Sequence, residues 1–269
     1  MPSAFFLPNR KGVEVPGTIM KHIAPQLDPG AVILFGQEAT TENAVRVIKE
    51  HDPPYVFTTG HGIPCATTLL DNQPFVSLAL PQMNRQVCDR DRNLDLFRGR
   101  VVHLHSCWCG KLLAPKLVQE HGAWAVFAHD DEFLFLLPED GKTIDKVIAA
   151  PFLAEFTVDQ IMLSGGTAGE AQEARMRAYD KWIEYFTEGE GAEMKGAPLI
   201  VRILRVDRMI SKLYGDRTAT VAKKGQVKPF TLSLPLEVEG GAGVPLMALA
   251  LPLAFVVMGH GTEGHHGLG

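Results

Sequence analysis

The sequence predicts an α/β domain with a mainly parallel sheet flanked by helices, followed by a short C-terminal hydrophobic extension. In the first half, apolar runs of strand length alternate with segments of helical spacing, which is typical of consecutive β-α-β units. Of the 269 residues, 46% are hydrophobic and 21% are charged, as in folded globular proteins rather than disordered chains. The length suits one large domain with an appendage, so we place the domain at 1–225 and the extension at 226–269.

Charge and cysteine content restrict the partners and the cellular compartment. The chain has 26 basic and 31 acidic residues, a net charge of −5, without a long block of either sign, which excludes a broad nucleic-acid surface. We expect a peptide or protein substrate instead. Four cysteines are too few for a disulfide-built fold, and the start MPSAFFLPNRKG lacks the features of a secretory signal. The sequence therefore predicts a reducing, cytoplasmic location.

The first β-α-β unit is the clearest in the sequence. An apolar strand is predicted over 31–36, and a helix begins after the capping hydroxyl of Thr40. The prolines within 51–54 end that helix, and the next apolar strand covers 55–59. This second strand leads directly into Gly60-His61-Gly62.

A second unit comes after an irregular stretch. The segment 63–99 is polar and proline-rich, so we expect a hairpin or loop excursion around 75–80. An apolar strand is then predicted over 101–105, a helix over 110–120 and a buried strand over 123–128.

Helices dominate the remainder of the predicted domain. One helix is expected over 142–156, interrupted near Pro151, and Thr167 opens a longer helix with one apolar face. The segment 197–213 is apolar enough for a strand plus a helix, and 230–239 alternates as a short strand.

Two reactive side chains lie just past predicted strands. His61 comes just after the strand 55–59, and Cys107 comes just after the strand 101–105. The carboxyl ends of parallel strands meet at one edge of a sheet, so both side chains emerge together if these strands are neighbours. A thiol nucleophile beside an imidazole base is the arrangement that cysteine hydrolases use.

Gly62 adds a third element to this candidate site. Because it has no side chain, its N–H can approach a substrate carbonyl closely. The N–H groups of Gly62 and Cys107 could then form an oxyanion hole. A helix N-terminus predicted just after Cys107 would favour its thiolate.

These motifs resemble the caspase and gingipain group of cysteine peptidases, clan CD, and gingipain-like domains in particular. The specific elements are an apolar strand followed by His-Gly and a second apolar strand ending in Ser-Cys. The similarity extends over roughly residues 28–222, through TENAVRVIKEHDPPYVFTTGHG, HLHSCWCGKLLAPKLVQEHGAWAVFAHDDEF, SGGTAGEAQEARMRAYDKWIEYF and LYGDRTATV.

The resemblance implies a cysteine endopeptidase of the caspase/gingipain-like fold that hydrolyses peptide bonds without a cofactor or metal. In it His61 is the base and Cys107 the nucleophile. Asp130 and Asp131, just past a predicted strand, could line the pocket before the scissile bond and select Lys or Arg. We expect Ser106 to contact the substrate as well. The resemblance offers no role for Cys65 and Cys88, and Cys109 remains an alternative nucleophile.

A metal-binding or redox site is the main alternative. Four possible ligands alternate along one strand and would share one face while the strand lasts; they are His103, His105, Cys107 and Cys109. Imidazole and thiolate suit zinc, and His121 or His129 could complete a tetrahedral site. Ligand pairs separated by a single residue on a flat strand chelate awkwardly, which favours the peptidase hypothesis. A catalytically silent interaction domain of the same fold is the third hypothesis.

The C-terminal segment 240–259 is free of charged residues and leaves two interpretations open. As a helix it would be long enough for a membrane core. Pro245 and Pro252 and the short strongly apolar part, 244–258, fit a buried strand pair or contact with a partner subunit equally well. A Gly/His-rich tail comes after it.

Overall fold

The computed structural model describes residues 1–10, 12–70, 73–80, 82–83, 87–221 and 230–238, together with the backbone of 255–257. Within these residues the strands are β1 (Ala4–Leu7), β2 (Val32–Phe35), β3 (Tyr55–Thr59), β4 (Gly62–Ile63), β5 (Ala66–Thr68), β6 (Pro74–Ser77), β7 (Val101–His105), β8 (Ala125–His129), β9 (Leu134–Leu136), β10 (Thr143–Ile144), β11 (Ser211–Gly215), β12 (Leu236–Glu237) and β13 (Phe255–Val257). The α-helices are α1 (Glu14–Leu27), α2 (Thr41–His51), α3 (Leu113–Gln119), α4 (Lys146–Glu155), α5 (Thr157–Leu163), α6 (Ala168–Thr187) and α7 (Ala197–Ile210).

Six strands form a mainly parallel central sheet, which confirms the predicted α/β class. Their order is β11-β8-β7-β3-β1-β2. Each neighbouring pair is parallel except β11 with β8, which is antiparallel. The chain thus crosses over repeatedly between parallel strands, as the alternation of strand and helix patterns predicts.

Helices cover the two faces of this sheet and bury two apolar clusters. Side chains alternate along the strands, so Phe57 of β3 lies in one cluster and its neighbour Val56 in the other. The first cluster receives side chains of α1 and α4–α7, and the second receives those of α2 and α3. Burial on both faces explains why the central strands are mostly apolar rather than alternating between apolar and polar residues.

Local signals place several helix boundaries where the sequence predicts them. Thr40 caps α2 by accepting a hydrogen bond from the N–H of Asn43. Thr167 caps α6 in a capping box, with the side chain of Glu170 bonded back to the Thr167 N–H. In the predicted strand-plus-helix segment the helix comes first, as α7, and β11 comes after it.

The sequence pattern does not predict two N-terminal elements, β1 and α1. The strand β1 lies inside the sheet, between β3 and the edge strand β2, and is fully buried, yet it has only four residues. The helix α1 contains Pro16 in its first turn and Pro25 near its end, where proline usually argues against a helix. The short helix α5 is also absent from the prediction.

The stretch between His61 and β7 forms a separate three-stranded sheet, β4-β5-β6, in place of the expected hairpin or loop around 75–80. Cys65 and Cys88 form a disulfide bond in this stretch. Disulfides persist mainly in oxidising compartments. The reducing compartment stays a prediction from the sequence.

The described part of the C-terminal extension contacts the main domain. The predicted boundary near 225 falls within 222–229, outside the described residues. Beyond it, the main chain of Thr231 exchanges two hydrogen bonds with the side chain of Gln26 on α1, of 3.0 and 2.9 Å. The strand β12 pairs antiparallel with β10.

Most of the apolar segment 240–259 lies outside the described residues. Its residues 255–257 form β13, which pairs antiparallel with β9. Across the part of the chain that the structure describes, no helix has the length and apolar character needed to span a bilayer. A membrane contact through this segment stays a prediction.

Candidate active site

The strands β3 and β7 are direct neighbours, so the two predicted catalytic residues leave the same edge of the sheet. The strands pair in parallel, with Thr59 opposite His105. His61 lies two residues past β3, and Cys107 lies two residues past β7. The predicted adjacency of these strand ends is confirmed.

Gly62 lies in backbone contact with Cys107. A Cβ atom added to Gly62 would lie 2.3 Å from the carbonyl oxygen and 3.0 Å from the nitrogen of Cys107. No side chain fits at such distances, so glycine is required by close approach. The two predicted oxyanion donors therefore come from chain segments that touch.

His61 is half-buried, and its imidazole contacts the loop between β1 and α1. The ring packs against Gly12, in the loop after β1, where a Cβ would lie 3.0 Å from the ring carbon Cε1. The carbonyl oxygen of His61 accepts a hydrogen bond of 3.0 Å from the N–H of Thr68. The main chain of His61 is thus tied to β5, and its ring lies on the β1 side of the site.

The Cys107 side chain is fully buried. Its sulfur accepts a hydrogen bond of 3.4 Å from the N–H of Phe133. Burial raises the pKa of the Cys107 thiol well above its ordinary value, against the lowering effect of that N–H, and the carboxylates of Glu132 and Asp207 raise it further. In this arrangement Cys107 is therefore a protonated thiol.

Trp108, the residue after the predicted nucleophile, has a left-handed backbone with φ of 56°. This conformation costs a non-glycine residue about 1–2 kcal/mol, and such strain occurs often at functional sites. Trp108 donates its main-chain N–H to the carbonyl oxygen of Asp131 at 3.2 Å. Its indole N–H donates to the Asp131 carboxylate at 2.8 Å. The carboxylate predicted to bind substrate thus already has a protein partner.

The other two predicted substrate-binding residues also have partners within the chain. Asp130 accepts a hydrogen bond from the Tyr214 hydroxyl on β11. Burial raises the pKa of Tyr214, and the adjoining Asp130 carboxylate adds to this. Ser106 is buried, and its hydroxyl lies 2.8 Å from that of Thr67.

The structure does not bring the four alternating His and Cys side chains to one face. The strand β7 ends at His105, so the chain turns before Cys107, and the strict alternation is lost. Cys107 packs in the first apolar cluster and Cys109 in the second. The sulfur of Cys109 instead donates to the Ala66 carbonyl at 3.5 Å. The expectation of a shared ligand face is wrong for this reason.

The metal hypothesis finds no further support elsewhere in the fold. Among the described residues, no group of three or more His, Cys, Asp or Glu side chains is arranged to hold a metal ion. His121, one of the two possible additional ligands, is half-buried beside Asp95, with its Nδ1 3.2 Å from the Asp95 carboxylate.

His103 belongs to a buried ionic cluster beneath the sheet that no sequence motif indicates. Its two ring nitrogens face carboxylates, Asp159 at 3.2 Å and Glu155 at 3.1 Å. Burial lowers the pKa of His103, but these two carboxylates outweigh that effect and raise it overall. Because both ring nitrogens have acceptors, His103 is held as an imidazolium ion.

Glu155 is the centre of this cluster. It accepts hydrogen bonds from Arg175 at 2.5 Å, from the Tyr179 hydroxyl at 2.8 Å and from the Ser211 hydroxyl at 3.0 Å. Burial alone would raise the pKa of Glu155, but Arg175 and the neighbouring histidines hold it well below its ordinary value. No sequence motif predicts this cluster, because its residues lie on α4, α6, β7 and β11, which are far apart in the sequence.

His129 connects the ionic cluster to the candidate site. Its Nε2 lies 3.2 Å from the Glu155 carboxylate, and its Nδ1 lies 3.4 Å from the carbonyl oxygen of Ser106, the residue before Cys107. His105 packs beside it, with ring centres 5.4 Å apart. Burial lowers the pKa of His105 well below its ordinary value, and His129 lowers it further. The loop that carries Cys107 thus rests on buried polar groups.

Two solved structures of cysteine proteinases are similar to this chain. One is the complex of Porphyromonas gingivalis RgpB pro- and mature domains, with a TM-score of 0.45 and 10% sequence identity over 82% of this chain and 48% of that chain. The other is the Arg-specific cysteine proteinase gingipain R (RgpB), with a TM-score of 0.43 and 10% identity over 81% and 47%. No protein-family model and no curated protein matches the sequence. The chain spans about half the length of these two structures.

Proposed function

We propose that this chain is a cysteine peptidase in which Cys107 is the nucleophile and His61 the general base. The observation that carries the proposal is the contact of the His61-Gly62 segment with the backbone of Cys107 at the carboxyl edge of two neighbouring parallel strands. That edge is where α/β sheets place their ligand sites. The left-handed backbone of Trp108 next to Cys107 adds support, because strain of this kind is concentrated at active sites.

The proposed reaction is hydrolysis of a peptide bond through an acyl-enzyme. His61 takes the proton of the Cys107 thiol, the resulting thiolate attacks the carbonyl carbon, and the N–H groups of Gly62 and Cys107 stabilise the oxyanion. His61 gives a proton to the leaving amine and then takes one from the water that hydrolyses the thioester. For these steps the imidazole has to come within hydrogen-bond reach of the Cys107 sulfur, and the thiol has to be uncovered. Catalytic hydrogen bonds are often incomplete until substrate is bound.

A preference for Lys or Arg before the scissile bond belongs to the same proposal. Acidic side chains lie near the thiol, and Glu132 and Asp131 both raise the pKa of Cys107. A cationic substrate side chain would be attracted to such a site.

One observation favours a second function, that of a catalytically silent interaction domain. Reactive cysteines are partly exposed and lie near positive charge, whereas cysteines that are buried away from positive charge are inert. Cys107 is buried and has acidic neighbours. A silent domain would keep this arrangement permanently.

Cleavage of a peptide library, with products identified by mass spectrometry, separates the two functions. We expect hydrolysis by the wild type, none by Cys107→Ser, and roughly a 100-fold or greater loss in His61→Ala. His121→Ala is the matched control, because the half-buried His121 pairs with Asp95 and contacts no residue of the proposed dyad. Cleavage that survives in Cys107→Ser would overturn the proposal. A wild type that cleaves nothing, with Cys107 no more reactive than Cys109 towards iodoacetamide, supports the silent domain.

A further inference from the structure

The sulfur of Cys107 is covered by the residues Asp130–Phe133, which we call the cover segment. The N–H of Phe133 is bonded to the sulfur at 3.4 Å. The Phe133 ring packs on His105 and His129, with ring centres 4.6 and 4.8 Å apart. Nothing of Cys107 reaches the surface. A peptide carbonyl can reach the thiol only if the cover segment moves.

The inner end of the cover segment is held in the core. The next residue, Leu134, donates its N–H to the buried carboxyl of Asp207 at 2.9 Å. Phe133 itself is fully buried and also packs on Phe152, at 5.7 Å between ring centres. This end is therefore the firmer attachment of the segment, and the thiol is uncovered only if the Phe133 N–H separates from the sulfur once the outer end is free.

At the outer end, Asp130 is held by its N–H bond to the Ile210 carbonyl oxygen and by the Tyr214 hydroxyl. Asp131 is held by Trp108, whose main-chain N–H and indole N–H both donate to it, at 3.2 and 2.8 Å. The Asp131 side chain is exposed, so water competes for it, and Trp108 makes these bonds from a left-handed backbone that a side chain disfavours. The attachment thus combines a charge-assisted hydrogen bond with a disfavoured backbone conformation at Trp108.

We infer that Trp108 and Asp131 form a latch that holds the cover segment over Cys107, and that the thiol becomes reactive when this latch opens. The peptidase activity of the uncovered thiol rests on the proposed function, whereas the latch itself does not. It also gives Asp131 a different role from substrate binding, because its carboxylate holds the site closed.

Iodoacetamide labelling of the folded full chain at about pH 8, located by peptide mass spectrometry, tests the latch directly. Asp131→Ala is expected to label Cys107 roughly tenfold faster or more than the wild type, as for loss of a charge-assisted hydrogen bond. Asp131→Asn is expected to label near the wild-type rate, because its amide oxygen still accepts from the indole. Both substitutions remove the negative charge of Asp131. Only Asp131→Ala also removes the oxygen that accepts from the Trp108 indole, so a difference between the two variants reports the loss of that hydrogen bond.

A second pair of variants removes the donor instead of the acceptor. Trp108→Phe keeps an aromatic ring but loses the indole N–H, and it is expected to label Cys107 roughly tenfold faster. Trp124→Phe makes the same chemical change at an exposed tryptophan just before β8, outside the latch, and is expected to leave the rate unchanged.

Cys109 serves as an internal standard in each sample, because it is fully buried and bonded to the Ala66 carbonyl. A rise at Cys107 alone supports local opening of the cover segment. Equal rises at Cys107 and Cys109 would mean general unfolding and would overturn the latch. The latch is also overturned if Asp131→Asn labels as fast as Asp131→Ala. Loss of the Asp131 negative charge near the thiol would then explain the faster labelling of both variants.

The same variants separate the latch from the proposed function. If Asp131→Ala exposes Cys107 to iodoacetamide but cleaves no library peptide, the peptidase proposal fails and the latch stands. If cleavage depends on Cys107 while labelling is equal in all variants, the latch fails and the peptidase proposal stands.

Discussion

The approach of Gly62 to Cys107 makes this glycine the most restrictive single position in the candidate site. In Gly62→Ala the new methyl group would lie 2.3 Å from the Cys107 carbonyl oxygen, so the two segments have to move apart. We expect a loss of about 1–3 kcal/mol in the free energy of unfolding, as for overpacking in a core. We also expect any peptidase activity to fall, because both oxyanion donors shift. Urea unfolding and the peptide-library assay measure these effects.

Gly30→Ala is the matched control for this substitution. Its new methyl group would meet only the Asp28 side chain, at 3.5 Å, an ordinary contact. A stability loss in Gly30→Ala as large as that in Gly62→Ala would show that the close approach is not the cause.

Asp207 is a buried carboxyl whose protonation state affects stability. Burial raises its pKa well above the ordinary value, against the lowering effect of the Leu134 N–H. In the unfolded chain the Asp207 carboxyl ionises above about pH 3.9, whereas in the folded protein it stays protonated to a higher pH. The free energy of unfolding therefore falls as the pH rises from the unfolded pKa towards the folded pKa.

Asp207→Asn removes this pH-dependent cost and keeps an oxygen to accept from Leu134. We expect the variant to be more stable than the wild type by about 1 kcal/mol or more at pH 7, with the difference shrinking towards pH 4. Urea denaturation across this pH range measures it. A difference that is constant with pH would mean that Asp207 is ionised in the folded state.

Among the secondary-structure elements, α4 is tied to α6, β7, β8 and β11 through the single carboxylate of Glu155. Arg175, Tyr179 and Ser211 donate hydrogen bonds to it, and His103 lies within bonding distance. Buried charges are costly to desolvate, so a cluster of this kind is stable only while every member keeps its partners.

Glu155→Gln is expected to lower the free energy of unfolding by about 3 kcal/mol or more, because Arg175 and the His103 imidazolium lose their shared counter-charge. Combining it with Arg175→Met is expected to restore part of the loss, since a buried pair removed together costs less than one partner alone. Glu120→Gln, in the exposed pair with Lys116, is the matched control and is expected to cost less than about 1 kcal/mol. Equal effects of the two single substitutions would contradict the role of Glu155.

For the whole molecule, the disulfide leads to a prediction about cysteine chemistry. The structure has one disulfide, Cys65–Cys88, and two free thiols, Cys107 and Cys109. Protein made under oxidising conditions, denatured and alkylated without reductant, is expected to carry label on Cys107 and Cys109 alone, with all four cysteines labelled after reduction. Label on Cys65 and Cys88 without reductant would agree with the reducing compartment predicted from the sequence.

Much of the sheet could be predicted from the sequence because its strands are buried on both faces. The strands at 55–59 and 101–105 coincide with β3 and β7. The three-stranded sheet β4-β5-β6 was predicted only as a hairpin or loop, since strands as short as Gly62–Ile63 carry no periodicity. The strand β1 was missed for the same reason, although it lies between β2 and β3 in the sheet.

The candidate site divides in a similar way. Local sequence was enough to place His61, Gly62 and Cys107 at the ends of two strands, because the residues at a strand end are fixed by their order along the chain. The partners of these residues depend on segments distant in sequence. Phe133 covers the thiol, and the Asp131 carboxylate is occupied by Trp108.

The fold class and the two strand ends with reactive side chains follow from the sequence alone, because buried strands and helix caps produce recognisable patterns of neighbouring residues. Only the tertiary structure decided that Cys107 is a covered thiol with a raised pKa, that Cys109 lies on the opposite face, and that Glu155 neutralises buried cations. Burial and charge pairing arise when distant elements pack together, and no local pattern encodes them.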